Sequence, residues 1–551
     1  MAGYTGNVQA EEKVYDYVIQ NVLVYDGKSN RPVKTDVAIN NEYIVAVGRV
    51  NAADSRKVIE GDGLILTPGF IDAHTHSDFN PFIYPNLPNK LLQGVTTEIT
   101  GNCGMSAAPV LGAHESEIRG VWKREGVTLP EKIPWKTYKE YADSLHFAGL
   151  MTHHAVLIGH GNLRGSVMGF EKRKPSPEEL VSMKKLLRES LEDGAYGISF
   201  GLVYLPGLFA AGEEITELCR EAALGGGVCA FHMRSEGKNL LESIQEVIDV
   251  GEKTGARIQI SHLKAGGKEN WGKIDQALEL IESARRRGVN IRADAYPYTA
   301  SFAELGVLLP DEIFERPDRL EYLQDPANRA TVLNLLKEHY KKKQTDWGNI
   351  WIASAAHKNY ATTQGRSIRE LAAGKKMSPE EYLVKALTDN IFEVNAFNFS
   401  QSPEVVDRVL STPFTAVGSD SIADGSGHTH PRSFGSFPKI LKRYIKENNT
   451  FALAEQIHRM TSAVAEHFGL AGRGWIKPGY YADLVVMDPE SLEDLATYQK
   501  PALPGRGIRW VFVNGKPAVE DGGYAGIKAG QILEHVLPDA GVPAEAERNN
   551  P

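Results

Sequence analysis

Short apolar runs broken by Gly, Asn and Asp mark both ends of the chain, and between them apolar runs alternate with amphipathic stretches. Near the N-terminus, Tyr17–Val24, Val37–Ile39 and Tyr43–Val47 have the length and punctuation of strands. Near the C-terminus, Ala482–Met487 is followed by Trp510–Val513, and Asn514-Gly515 before the next apolar run predicts a two-residue hairpin. Neither set covers a core by itself. The economical arrangement is one small β-domain built from 1–66 and 476–538, with the middle of the chain inserted between them and a polar tail from Asp539.

The middle alternates strand and helix patterns. Candidate strands are Gly69–Ala73, Thr96–Thr100, Ala155–Ile158, Gly197–Phe200, Val228–Phe231, Ile258–Ile260, Val289–Ala293 and Thr415–Gly418. Helical patterns such as Pro177–Glu192, Leu240–Thr254 and Ile274–Arg287 lie between several of them, with Pro177 at the first helical position. Eight such units predict a (β/α)8 TIM-type barrel over 67–475, whose active site forms where the strands end. A doubly wound open sheet is the alternative; a closed barrel better gathers chemistry that falls at many strand ends. The seventh and eighth strands are separated by a helix-rich insertion, about 298–413, with helices at Asn328–Lys342, Pro379–Leu387 and Pro403–Leu410. An insertion above a barrel mouth shapes or covers the substrate pocket.

Composition narrows the class. In 551 residues, 42% hydrophobic and 24% charged is the balance of a soluble globular protein. A net charge of -9 argues against a nucleic-acid partner. No apolar run approaches the roughly 20 residues that span a bilayer, and Met1–Glu12 lacks the basic and apolar regions of a signal peptide. Three cysteines, Cys103, Cys219 and Cys229, exclude a disulfide framework and suit a reducing cytoplasm. Cys219 and Cys229 fit small core positions.

The third cysteine belongs with a set of ligand types. His74 and His76 point to one side of the first strand's end, because side chains alternate with period two. Cys103 follows the second strand, His232 ends the fifth, His262 the sixth and Asp420 the eighth. Imidazole, carboxylate and thiolate are all zinc ligands, and the thiolate disfavours magnesium or calcium. Each residue alone has an ordinary structural reading; in barrel order they form a metal-site expectation. His160, at the third strand's end, is a further lining candidate. His153 and His154 precede that strand, and they and the scattered His114, His146, His339, His458, His467 and His535 have ordinary surface or core readings.

On these residues the chain resembles the amidohydrolase superfamily and, within it, the D-aminoacylases (N-acyl-D-amino-acid deacylases). The resemblance spans nearly the whole chain. It rests on Pro68-Gly69-Phe70-Ile71-Asp72-Ala73-His74-Thr75-His76, on the more specific Gly101-Asn102-Cys103-Gly104 loop, and on Gly197–Tyr204. It continues through Ile260–Lys264, Asp294–Tyr298, and Gly418-Ser419-Asp420 followed by His430-Pro431-Arg432. Many superfamily members bridge two metals with a carboxylated lysine on the fourth strand, but Gly197–Pro206 contains no lysine. The resemblance implies that Cys103 takes the bridging place. It also implies that one zinc is held tightly by Cys103, His232 and His262, and that His74, His76 and Asp420 form a weaker second position.

The chemistry follows. Zinc with an open position lowers the pKa of water toward about 7, and Asp420 is placed to take the water proton and deliver it to the leaving amine nitrogen. The resemblance puts Lys264 and Tyr296 on the carboxylate of an N-acyl amino acid substrate, and it alone implies the D-isomer. Arg234 and Arg432 are further cation candidates, and Ser199 and Leu202 candidates for the pocket wall. Two other readings compete: a cyclic-amide hydrolase of the hydantoinase or dihydroorotase kind, disfavoured by the absent lysine, and a non-catalytic scaffold, disfavoured by the intact ligand set.

Overall fold

The computed structural model describes residues 14–112, 115–124, 129–314, 316, 318–343, 345–422, 429–446 and 450–537. The segment Met1–Glu12, His114 and the tail from Asp539 lie outside these residues.

Strands from both termini form one hydrogen-bonded sheet of nine. Tyr15–Val24, Val33–Asn40, Tyr43–Gly48, Ser55–Glu60 and Ile65–Pro68 come from the N-terminal part; Leu484–Met487, Ile508–Val513, Lys516–Glu520 and Gly523–Tyr524 come from the C-terminal part. The two parts join where Ile65–Pro68 pairs antiparallel with Leu484–Met487. The predicted hairpin is present. Asn514 (φ 47°) and Gly515 (φ 70°) are both left-handed, as a two-residue turn matched to strand twist requires. A Cβ on Gly515 would lie 1.8 Å from the Asn41 carbonyl oxygen, so only glycine fits there.

The chain leaves this sheet at Gly69 and enters the parallel strands of the middle. Phe70–Asp72, Val95–Thr100 and His153–Val156 form one parallel set. A second parallel set runs in the order Thr415–Val417, Ile291–Ala295, Arg257–Ile260, Val228–His232, Gly197–Gly201, Ile158–Gly159. Only Leu157 separates the sets at one side, and its N–H donates to the Thr100 oxygen at 2.9 Å. At the other side the Ala73 N–H donates to the Val417 oxygen at 3.1 Å, and Thr75 bridges Ser421 in parallel. The strands are buried along almost their whole length, as parallel strands covered on both faces are. Pro177–Glu192 begins with Pro177 at its first position behind a Ser176–Glu179 capping box, and buries Met183, Leu187 and Leu191.

Three details differ from the sequence reading. The Ile291–Ala295 strand starts two residues later than predicted, which carries Asp294 into the strand. His153 and His154 lie within a strand rather than before it. The segment between Ile291–Ala295 and Thr415–Val417 is not only helical. It contains an antiparallel sheet of Ser301–Glu304, Val394–Asn398 and Ile350–Ala355, packed with Leu336, Tyr382 and Leu383 in a core of its own.

Candidate metal centre

The six ligand candidates meet at the C-terminal ends of the parallel strands, and the local backbone there is unusual. Cys103 (φ 54°), His262 (φ 35°) and Asp420 (φ 50°) all sit in the left-handed region that non-glycine residues rarely occupy. Such conformations persist where surrounding contacts over-determine them, and they concentrate at functional positions.

Those contacts are present. The Ser199 hydroxyl donates to the Gly101 oxygen at 2.5 Å and accepts from the Gly104 N–H at 3.0 Å, pinning the loop that carries Cys103. Gly101 is left-handed (φ 73°), and a Cβ there would lie 1.9 Å from the Leu157 oxygen. The Asp294 carboxylate accepts from the His262 N–H at 2.8 Å. Asp72 accepts from the Ser419 N–H at 2.8 Å, and the buried Lys90 ammonium donates to Asp72, Thr75 and Ser419. The Asp420 N–H donates to the His74 oxygen at 2.7 Å. Strand ends distant in sequence are thus tied together by buried polar groups that are themselves satisfied.

Cys103 Sγ stands 3.4 Å from His74 Nε2 and 3.4 Å from His262 Nε2. Asp420 Oδ1 is 3.5 Å from His74 Nε2 and 3.3 Å from His76 Nε2. The His232 ring packs edge-on against His262 with centroids 4.5 Å apart. Three overlapping groups result, each with ligand atoms within 4.8 Å of one another: His74–Cys103–His262, His74–His76–Asp420 and His232–Glu236–His262. Cys103 and His232 do not share a group; His262 links them.

The donor set fits a cation. Zinc–sulfur and zinc–nitrogen bonds of about 2.3 and 2.05 Å at a tetrahedral angle put sulfur and nitrogen about 3.5 Å apart, close to the 3.4 Å seen on both sides of Cys103. His232 Nδ1 is buried with no hydrogen-bond partner among the described residues. Burial pushes the Cys103 thiol well above its ordinary value, which a neighbouring cation would reverse. Burial holds the His232 imidazole well below its ordinary value and brings His76 down to about 4, so both are neutral, as ligands must be. Burial opposes ionisation of Asp420, but Arg432 and then His76 outweigh it and hold the carboxyl well below the carboxylate range.

The remaining candidates are placed as follows. Lys264 is buried beside the cluster, with Nζ 2.5 Å from Glu236 Oε1 and 2.9 Å from His262 Nδ1. The Tyr296 ring lies between Lys264 and Arg432, and its hydroxyl is buried with no partner among the described residues. Arg432 is buried in the cluster, with Nη1 2.7 Å from Asp420 Oδ2. Arg234 is drawn away from the cluster by Glu246 and by the carbonyls of Leu208 and Ala210. The Ser199 hydroxyl holds the cysteine loop. Leu202 is buried, with its N–H on the His232 oxygen at 3.0 Å. His160 is engaged by Glu214, which also binds Arg164. Two carboxylates escaped the sequence reading: Glu236, four residues after His232, and Asp294, whose Oδ1 is 3.5 Å from His74 Nδ1. The only signal for Asp294 was its place in the Asp294–Tyr298 motif, and Glu236 had none beyond its proximity to His232.

Comparison with known proteins agrees with the fold. The model of the Amidohydrolase family matches residues 57–293 and 328–519, and the chain belongs to that family. Within it the chain stands close to deacylases of N-acyl-D-amino acids. It is 31% identical to D-aminoacylase of Alcaligenes xylosoxydans xylosoxydans over 95% of this chain and 99% of the relative. It is 33% identical to N-acyl-D-glutamate deacylase of the same organism over 97% and 99%. The structure of N-acyl-D-glutamate deacylase from Bordetella bronchiseptica, complexed with zinc and a phosphonate mimic of the tetrahedral intermediate, superposes with a TM-score of 0.79. It is 29% identical and covers 95% of this chain and all of that one.

Proposed function

We propose that the protein hydrolyses the amide bond of N-acyl-D-amino acids to a carboxylate and a free D-amino acid, with zinc held at the strand ends. The observation that carries this reading is Cys103 Sγ flanked at 3.4 Å by an imidazole nitrogen on each side, beside a buried, ionised Asp420. Cys103, His232 and His262 would hold the tight zinc, with His262 the ligand in reach of both others, and His74, His76 and Asp420 would form a second, weaker position. The contact of Cys103 with both His262 and His74 suits a bridging thiolate in place of the absent lysine. The parallel strands, bonded to each other at both sides, form a (β/α)8 barrel over 67–475 with 298–413 inserted. We infer that the nine-stranded sheet built from the two ends of the chain folds over on itself as a small β-sandwich domain, a reading supported by the shared cluster of buried Ile19, Val22, Ile39, Leu484 and Phe512. Three free cysteines suit the cytoplasm.

When bound, zinc polarises the amide carbonyl and lowers the pKa of an attacking water toward about 7. Asp420, kept anionic by Arg432, takes the proton from water and hands it to the amide nitrogen, which then leaves as an amine. The Tyr296 hydroxyl and the Lys264 ammonium receive the substrate carboxylate; the unpartnered hydroxyl is the donor awaiting it. Among the described residues no helix is long and apolar enough to cross a membrane. A panel of N-acetyl D- and L-amino acids, assayed for amine release with and without a chelator, tests the assignment. Zinc-dependent release from D-isomers supports it. Opening of hydantoin or dihydroorotate, with no amine released from the panel, contradicts it.

A further inference from the structure

Glu236 lies four residues beyond His232, in the loop that follows the Val228–His232 strand. Its backbone oxygen accepts from the Gly266 N–H at 2.6 Å, so this loop is tied to the one that carries His262 and Lys264. Its Oε1 is 2.6 Å from His262 Nδ1 and 2.5 Å from Lys264 Nζ. Lys264 Nζ stands 2.9 Å from the same Nδ1 and would suit a bare nitrogen there, but the carboxylate is the nearer neighbour, and two lone pairs 2.6 Å apart would repel, so the geometry favours a hydrogen on Nδ1 directed at Glu236. The same ring's Nε2 is then a bare lone pair, and it faces Cys103 Sγ at 3.4 Å. A ligating histidine whose other nitrogen donates to a carboxylate has its tautomer and ring orientation fixed and its basicity raised. Lys264 reaches the same oxygen, so the ammonium offered to substrate and the imidazole offered to metal hang on one atom.

Resting on the zinc-hydrolase reading, we propose that Glu236 is a positioning residue that serves both halves of the site: it holds His262 in the Nδ1–H tautomer with Nε2 toward the metal, and it holds Lys264 at the place where the substrate carboxylate arrives. Asp294, which bonds the His262 backbone, fixes where the ring is rooted; Glu236 fixes how it faces.

The test has two parts. In the metal-free full-length chain, nitrogen NMR of the histidine rings should show His262 protonated on Nδ1; protonation on Nε2 overturns the proposal. This measurement needs neither a variant nor activity. In Glu236→Ala, the zinc dissociation constant, measured by chelator competition, should rise about 10- to 100-fold, with a raised KM for N-acetyl-D-amino acids. Lys264→Met should raise KM with zinc affinity close to that of the unaltered chain. Unchanged zinc affinity and KM in Glu236→Ala overturn the proposal. If the unaltered chain releases no amine from any N-acyl amino acid, the hydrolase reading fails, while the tautomer and the zinc affinities still decide the role of Glu236.

Discussion

Arg432 holds its guanidinium Nη1 2.7 Å from Asp420 Oδ2, and both side chains are buried. The pairing gives the arginine a task other than substrate capture. A carboxyl buried without it would be driven toward its neutral form, and a neutral acid cannot accept a proton. Arg432→Met is therefore expected to lower kcat while leaving KM for N-acetyl-D-amino acids nearly unchanged. A raised KM at unaltered kcat would place Arg432 on the substrate instead.

Asp420 itself is the proton carrier of the account. Asp420→Ala should keep the tight zinc, because the Cys103–His262 contact and His232 are untouched, and should lose about 10²- to 10⁴-fold in kcat. Zinc content and steady-state kinetics on the same preparation check this. A variant with near-normal kcat removes Asp420 from the role.

Cys103→Ala removes the sulfur that stands 3.4 Å from both His74 and His262. Zinc content after dialysis should fall from about one ion per chain to a small fraction of that, since an imidazole is a weaker partner for the dication than a thiolate. Unchanged zinc would show that the sulfur is not a ligand.

Ser199→Ala leaves the Gly101 oxygen and the Gly104 N–H buried without their partner. The expected loss is about 1–3 kcal/mol of stability, accompanied by weaker zinc binding because the left-handed Cys103 loop is released. Denaturant unfolding of the metal-free and zinc-loaded chains separates the two effects. Full stability with intact zinc affinity would argue that other contacts hold the loop.

Asp483 links the terminal sheet to the central strands. It pairs with Arg473, lies 3.1 Å from His153 Nε2, and accepts from the Asn514 N–H at 2.8 Å. Burial pushes this carboxyl up, but Arg473 and His153 outweigh burial and hold it well below the carboxylate range. A depressed folded pKa stabilises the fold above the unfolded value of about 3.9. That contribution is lost as pH falls below about 4 toward the folded value. Asp483→Asn should cost about 3–5 kcal/mol at pH 7 and show a flatter decline in unfolding midpoint between about pH 5 and pH 2. Parallel declines in the two proteins would contradict the linkage.

Much of this architecture was legible in the chain because its signals are local. The apolar run before His74-Thr75-His76, Pro177 at the head of its helix, and the Asn514-Gly515 turn each specify their element within a few residues. The ligand types could be collected because each stands at the end of such an element. What the sequence does not carry is partnership. That Arg432 faces Asp420 while Arg234 turns to Glu246, or that Ser199 reaches back across almost a hundred residues to Gly101, depends on which strand ends become neighbours. The strands of the inserted sheet were missed for a related reason: Ser301–Glu304 and Val394–Asn398 are short and gain strand character by pairing with each other.

The central claim is that zinc sits between a sulfur and imidazoles at the strand ends, and X-ray absorption at the zinc edge of the reconstituted chain tests it most directly. The account predicts one sulfur neighbour at about 2.3 Å with nitrogen or oxygen neighbours at about 2.0–2.1 Å, the sulfur vanishing in Cys103→Ala. A coordination sphere of nitrogen and oxygen alone in the unaltered chain would contradict it.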